Sequence, residues 1–515
     1  MQLNKSVGER IVFYLGLAVA IWLMRGWVLA GSFKYVALTL LGLMVLGLVG
    51  LMLGNWRHGL YAFLAWLLFE DLVRKYMGNN MAIYFAKDAL VGLTYLAFLR
   101  AGSREKRVKL RAPFLYPLGL FILLGVVQVF NADSPSILYG LMGLKIYFYY
   151  IPLMFLGYAF LRDEVDLRRF LVFNMGIAAV IAAIAIAQSV LGLNFLNPMG
   201  GADIDELSHL TRMTQGGLLV SRPPSVFVSE GRCAWYLILS FIMGLGAAGY
   251  MLLKARHGRR IVFPALLLVS LAAMMSGSRG CASYVVISSL VLSAALLWGA
   301  PPSGLEAYRL FKAIRRSYMV VALGLFLMIS LFPEAIGARW SFYAESLDPR
   351  SQYFEASFRA WDYPVANLML AFTDPEWPVG HGIGTSSLGV QYVAKIVGPD
   401  VDASIHRMGL EEGYANLLFE FGILGLILWL LWTAALVYAT WLAVLRVKGT
   451  SLFPIAICIW WFGFLLLFPF TFGGAAPYQN FVYNAYFWLL TGILFSLPRL
   501  SKQISLPPEA DATPR

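Results

Sequence analysis

Apolar residues run unbroken for about 20 positions again and again along this chain, the length that crosses a bilayer as a helix. Fourteen such runs are read, near residues 11–30, 34–54, 59–73, 81–99, 113–130, 146–161, 170–191, 231–252, 261–276, 281–298, 318–333, 413–445, 453–471 and 481–497. The third and sixth are short, and the twelfth is long enough to begin outside the bilayer. The runs are continuous rather than alternating, which excludes a transmembrane β-barrel. The expected fold is therefore an all-α polytopic membrane protein of about 14 transmembrane helices.

The polar positions between the runs test that count. Arg100–Arg111 holds six basic residues, and Lys254–Arg260 and Arg309–Arg316 hold four each. Arg162, Arg168 and Arg169 follow the sixth run, Arg446 and Lys448 the twelfth, and Arg499 and Lys502 the last. All fall on one side if there are fourteen spans with both termini cytoplasmic, as the positive-inside rule demands. Lys5 and Arg10 precede the first run as in a signal peptide; the reading taken is an uncleaved first span with Arg25 near its outer end.

Two connections on the opposite side are long. They divide the chain into 1–220, N-terminal helices with a first outer loop at 192–230; 221–332, helices bearing arginine motifs; 333–412, a large outer loop; 413–500, C-terminal helices; and 501–515, a disordered cytoplasmic tail. Within the large loop, 351–370 has helical spacing of apolar residues. Pro375, Pro378 and the glycines of Gly380-His381-Gly382-Ile383-Gly384 predict turns.

Composition sharpens the class. Sixty per cent of the 515 residues are hydrophobic and 13% charged, far from the quarter charged of a soluble domain. The net charge of +12 sits in topology-setting loops and does not argue for nucleic acid. Cys233, Cys281 and Cys458 offer neither metal spacing nor an evident disulfide. No DxD, HExxH or cysteine pair suggests a metal; Asp203, Asp205 and Glu206 resemble a cluster only loosely.

Candidate chemistry lies in charges that topology disfavours. Arg279, in Ser278-Arg279-Gly280-Cys281, is wedged between two apolar runs, and an arginine near mid-bilayer costs roughly 2.5–3.5 kcal/mol on insertion scales. Arg212, Arg222, Arg232, Arg339, Arg350, Arg359, Lys395 and Arg407 lie on the same outer side; each is either a solvated or headgroup-anchoring cation or part of a site for an anionic group. Arginine grips phosphate with a bidentate fork. Glu411 and Glu412 open the twelfth run, where carboxylates suit the helix dipole or act as a general base; His406 and His381 compete for that role. Glu70-Asp71 and Lys87-Asp88 are read as internal ion pairs or boundary anchors, or as the coupling residues of a transporter.

Four motifs, in order, resemble the O-antigen ligase/polymerase superfamily, the Wzy and WaaL type of membrane glycosyltransferase. They are Ser221-Arg222-Pro223-Pro224-Ser225-Val226-Phe227 running into Glu230–Leu237; Met275-Ser276-Gly277-Ser278-Arg279-Gly280; Gly380–Ser386; and Glu411-Glu412-Gly413-Tyr414 through Glu420-Phe421-Gly422 to Gly425. Together they cover 221–430. The chain departs where ligases show His-Asn and this sequence has Glu411-Glu412, which tilts the resemblance towards polymerases.

The resemblance implies a GT-C-like fold in a bacterial inner membrane, the large loop being periplasmic, and inverting, metal-independent transfer without a cofactor. The donor would be an undecaprenyl-pyrophosphate-linked oligosaccharide, with a glycan acceptor, membrane lipid around it and a chain-length regulator as a further partner. Arg222 and Arg279 would grip the pyrophosphate, and Glu411, Glu412 or His406 would activate the acceptor. Arg232, Arg339, Arg359, His381 and Arg407 would bind substrate. The competing readings are a ligase delivering glycan to lipid A core or protein, a lipid-linked sugar flippase or transporter, and a scaffold of an export complex.

Overall fold

The computed structural model describes residues 47, 50, 52–77, 81–102, 112–198, 210–214, 217, 219–254, 257–299, 304–348, 358–388, 390, 393, 413–474 and 476–505. In chain order these form α1 (Trp56–Tyr76), α2 (Met81–Gly102), α3 (Leu115–Gln128), α4 (Ile137–Phe148), α5 (Leu153–Phe160), α6 (Glu164–Leu191), strands β1 (Thr211–Met213) and β2 (Leu219–Ser221), and then α7 (Glu230–Leu253). Next come α8 (Arg259–Met275), α9 (Arg279–Trp298), α10 (Gly304–Leu331), α11 (Pro333–Leu347), a π-turn at Phe358–Asp362, α12 (Tyr363–Ala371), α13 (Gly413–Arg446), α14 (Phe453–Leu465) and α15 (Phe481–Ser505).

Every apolar run expected from residue 59 onward coincides with a helix, and among the described residues nine helical stretches are long and apolar enough to cross a membrane. The first expected run and most of the second lie outside the described residues. The sixth begins earlier than its apolar centre, because Ser136 caps α4 by accepting from Leu138 N at 3.3 Å and Pro152 then starts α5 after a short turn. Asp163, Ser229 and Ser278 likewise cap α6, α7 and α9, each accepting from the backbone N–H three residues on, the usual remedy for orphan donors at a helix start. Cys233, Cys281 and Cys458 are free and buried.

The chain forms two compact units. In the one made of 1–66 and 85–106, Trp56 meets Phe98 edge-on at 5.0 Å and Gly59 lies against Thr94. The other comprises 67–84 and 107–515. Its centre is α7 and α15, whose apolar windows are 83% and 89% buried, while α10, with none of its window buried, lies outermost. Leu120, Leu290, Leu323, Phe326 and Leu431 are exposed. So much outward apolar surface suits a lipid environment and not water.

Packing at the centre uses small residues, as helix association in lipid requires. A Cβ on Gly157 of α5 would overlap the carbonyl of Leu489, and one on Gly492 of α15 would overlap the carbonyl of Met154. The two helices therefore touch backbone to backbone. Beside them Trp432 stacks on Trp488 at 5.8 Å and meets Trp429 edge-on at 5.0 Å. Gly157→Leu forces α5 and α15 apart at a cost of about 1–3 kcal/mol or more. The expected result is a lowered melting temperature in detergent, with Leu323→Ala on the exposed face of α10 unchanged; equal effects would refute the close contact.

Candidate site: an arginine cluster at the start of α9

The turn between α8 and α9 shows what each residue of the Ser-Gly-Ser-Arg tetrad does. Ser276 Oγ donates to Ala273 O at 2.8 Å and closes α8. Gly277 has φ +64 and a Cβ there would lie 2.8 Å from Ser221 O and 3.0 Å from Arg222 Cγ, so only glycine permits both the left-handed turn and the close approach. Ser278 caps α9, and Arg279 is the first residue of that helix. The tetrad thus places Arg279 directly beside the segment that carries Arg222.

That segment begins as the hairpin, with Arg212 opposite Val220. The pairing continues one step further through Arg222 N, which donates to Leu210 O at 2.8 Å. Arg222 Nη1 pairs with Glu230 Oε1 at 2.9 Å. Burial lowers the Arg222 pKa from its ordinary value; Glu230 opposes this, and the guanidiniums of Arg212 and Arg279 add to the lowering. Arg222 thus stands between the carboxylate of Glu230 and the guanidiniums of Arg212 and Arg279, a gathering of forks of the kind that holds an anion.

Helix α11 covers the cluster with one face, presenting Arg339, Phe342 and Tyr343 at helical spacing. Val220 packs with Ala338, Phe342 and Tyr343. The Arg279 guanidinium lies over the Phe342 ring at 4.5 Å, a cation–π contact that orients it. Arg339 is buried; its Nε donates to Met275 O at 2.8 Å and its Nη2 to Ser221 O at 3.1 Å and Ser221 Oγ at 2.6 Å. It therefore staples the residues that precede Arg222 to those that precede Arg279. Tyr343 donates to Met274 O at 3.1 Å, and burial pushes its phenol up to about 12.

Arg232 sits one turn into α7 and is held by a different group. Its Nη1 contacts Asp71 Oδ2 at 2.9 Å and Oδ1 at 3.2 Å, and its guanidinium lies 4.8 Å from the Phe481 ring. Asp71 also accepts from Arg74 Nη2 at 3.0 Å and from Val228 N at 3.2 Å. Asp71 is thus the point where α1 grips the start of α7.

His381 and Glu420 build a second locus. Helix α13 breaks at Gly422, which has φ +67. The carbonyls freed by the break are taken by the glycine-rich turn: His381 N donates to Phe419 O at 2.8 Å and Gly382 N to Glu420 O at 3.1 Å. The buried Glu420 and Asn416, one helical turn apart, bracket the backbone of a single residue, since Ser386 N donates to Glu420 Oε1 at 2.9 Å and Asn416 Nδ2 to Ser386 O at 3.3 Å. His381 Nε2 lies 3.1 Å from Asp374 Oδ1 and the ring lies tilted against Phe419 at 4.2 Å. A carboxylate-oriented imidazole can move a proton or bind a sugar hydroxyl.

Of the other candidates, Glu411, Glu412, His406, Arg407, Arg350 and Lys395, with Asp203, Asp205 and Glu206, lie outside the described residues. Arg359 belongs to the π-turn, and its side chain is also outside them. The structure joins Arg222 to Arg279 and Arg339, and places Arg232 and His381 with partners of their own. Sequence reasoning read Asp71 as an ion-pair or anchor residue without its partner Arg232, and missed Asp374 as the partner of His381. No protein-family model matches the chain, and no curated protein matches it.

Asp71→Ala removes the carboxylate that the buried Arg74 and the partly buried Arg232 share. Breaking such a pair costs about 3–5 kcal/mol, so a large drop in melting temperature in detergent is expected, and an unchanged one would show that the pair contributes nothing.

Proposed function

We propose that this protein is a polysaccharide polymerase that joins undecaprenyl-pyrophosphate-linked repeat units of an O-antigen or exopolysaccharide. The observation that carries the reading is the clustering of Arg222, Arg279 and Arg212, built by the β1–β2 hairpin and the close approach of Gly277 to Arg222, with Glu230 paired to Arg222. A cluster of fixed guanidiniums at the end of apolar helices suits a substrate with an anionic head and a hydrocarbon tail. The resemblance of the surrounding motifs to the O-antigen ligase/polymerase superfamily supplies the chemistry. In this reading the chain has fourteen spans with both termini cytoplasmic in a bacterial inner membrane, and the cluster faces the periplasm.

The reaction is one inverting displacement. The acceptor hydroxyl oxygen attacks the anomeric carbon of the donor from the face opposite the pyrophosphate. A new glycosidic bond forms, the bond from carbon to phosphate oxygen breaks, and undecaprenyl pyrophosphate leaves with the electron pair. Negative charge grows on the leaving oxygen, where prepositioned guanidiniums stabilise it. A base takes the hydroxyl proton; Glu411, Glu412 and His406 are its sequence candidates, with the Asp374-oriented His381 a fourth. The transfer proceeds without a metal ion.

Purified protein incubated with an undecaprenyl-pyrophosphate-linked repeat unit and EDTA is expected to yield a ladder of multimers on a gel. Arg222→Ala and Arg279→Ala should each slow ladder formation roughly 100-fold or more, the scale of losing one charge-stabilising donor, at matched amounts of folded protein. Full activity in Arg279→Ala would sink the assignment. A product formed only when lipid A core is added would make the protein a ligase. Failure with both acceptors would favour transport.

A further inference from the structure

The turn that carries Arg222 is bound at a point where it is strained. Ser225 is wholly buried and has φ +52, a left-handed conformation that costs a residue other than glycine of order 1–3 kcal/mol and persists only where its surroundings impose it. The imposing group is Gln188, near the end of α6 and itself wholly buried. Its Oε1 accepts from Ser225 N at 2.7 Å, while its Nε2 donates to Ser225 O at 3.2 Å and to Phe195 O at 2.9 Å. One amide therefore grips both polar groups of a single residue. Ser225 Oγ adds a bond to Ile181 O at 2.8 Å, and Lys75 Nζ donates to Ser225 O at 3.4 Å.

Between Ser225 and Arg222 stand Pro223 and Pro224, both buried. Their fixed φ leaves little slack, so the orientation of Ser225 is passed to Arg222. Arg222 needs such a hold. It shares its surroundings with Arg212 and Arg279, and like charges repel one another out of a turn that is free to relax.

We propose that Gln188 is a positioning residue: its clamp on Ser225 holds the Arg222 guanidinium beside Arg279, so that both meet one pyrophosphate group. This inference rests on the pyrophosphate-binding reading given above.

The test is a double-mutant cycle on the binding of inorganic pyrophosphate to the purified full chain, read by calorimetry, with ladder formation from the lipid-linked repeat unit followed in parallel. Gln188→Leu should weaken pyrophosphate binding about tenfold and Arg222→Ala by at least as much. The double variant should bind no more weakly than Arg222→Ala, because Gln188 acts through Arg222. A merely structural glutamine would instead weaken binding in both backgrounds by the same factor, and that result, or wild-type affinity in Gln188→Leu, overturns the inference while leaving the polymerase reading intact. If Gln188→Leu does not fold, Gln188→Asn keeps the amide but is too short by one methylene to reach Ser225, and the same cycle decides with it. Wild-type protein that neither binds pyrophosphate nor makes a ladder overturns the polymerase reading and this inference with it.

Discussion

Backbone that leaves a helix among apolar helices loses its internal partners, and each unmet polar group there costs several kcal/mol. Much of the non-helical structure around the two loci answers to that constraint. The stretch between β2 and α7 has its amides taken by Gln188 and Asp71. The glycine-rich turn has its amides taken by the freed carbonyls of α13 and by Glu420. In both places a buried acid or amide from a neighbouring helix replaces a missing turn of helix.

The two loci answer this constraint with different electrostatics. Asp71 is surrounded by donors that match its charge, with Arg74, Arg232 and Val228 N converging on one carboxylate. In the other neighbourhood the centre is a cation, since Arg222 pairs with Glu230 and has the guanidiniums of Arg212 and Arg279 near it. What keeps that neighbourhood from relaxing is its anchoring: Arg339 staples Ser221 to Met275, Phe342 holds Arg279 from below, and Gly277 removes the Cβ that would keep the two segments apart.

Much of this was legible along the chain because it is local. Continuous apolar runs marked the helices from residue 59 onward, and Pro375, Pro378 and the glycines of 380–384 marked turns. Arg222 and Arg279 stood out because topology disfavours them. The partners were not legible, since they come from far away in sequence. Asp71 meets Arg232 across 161 residues and Arg339 meets Ser221 across 118. An outer arginine that grips substrate and one that staples backbone have the same local signature; what separates Arg339 from Arg279 is the burial of its guanidinium against Met275 O and Ser221 O, which only the fold decides.

The break in α13 shows how the same logic extends to the large loop. A continuous helix through Gly422 would satisfy Phe419 O and Glu420 O internally and would leave the turn at 380–384 without acceptors. Gly422 ends that possibility by adopting φ +67, and a Cβ there would lie 2.5 Å from Pro378 O. The loop and the break therefore require one another. Docking fixes the turn at backbone level, through His381 N and Gly382 N, and leaves the His381 ring to Asp374 and Phe419. A ring not needed to hold its own loop parallels Arg279, whose turn is built by Ser276, Gly277 and Ser278 while its guanidinium is placed over the Phe342 ring.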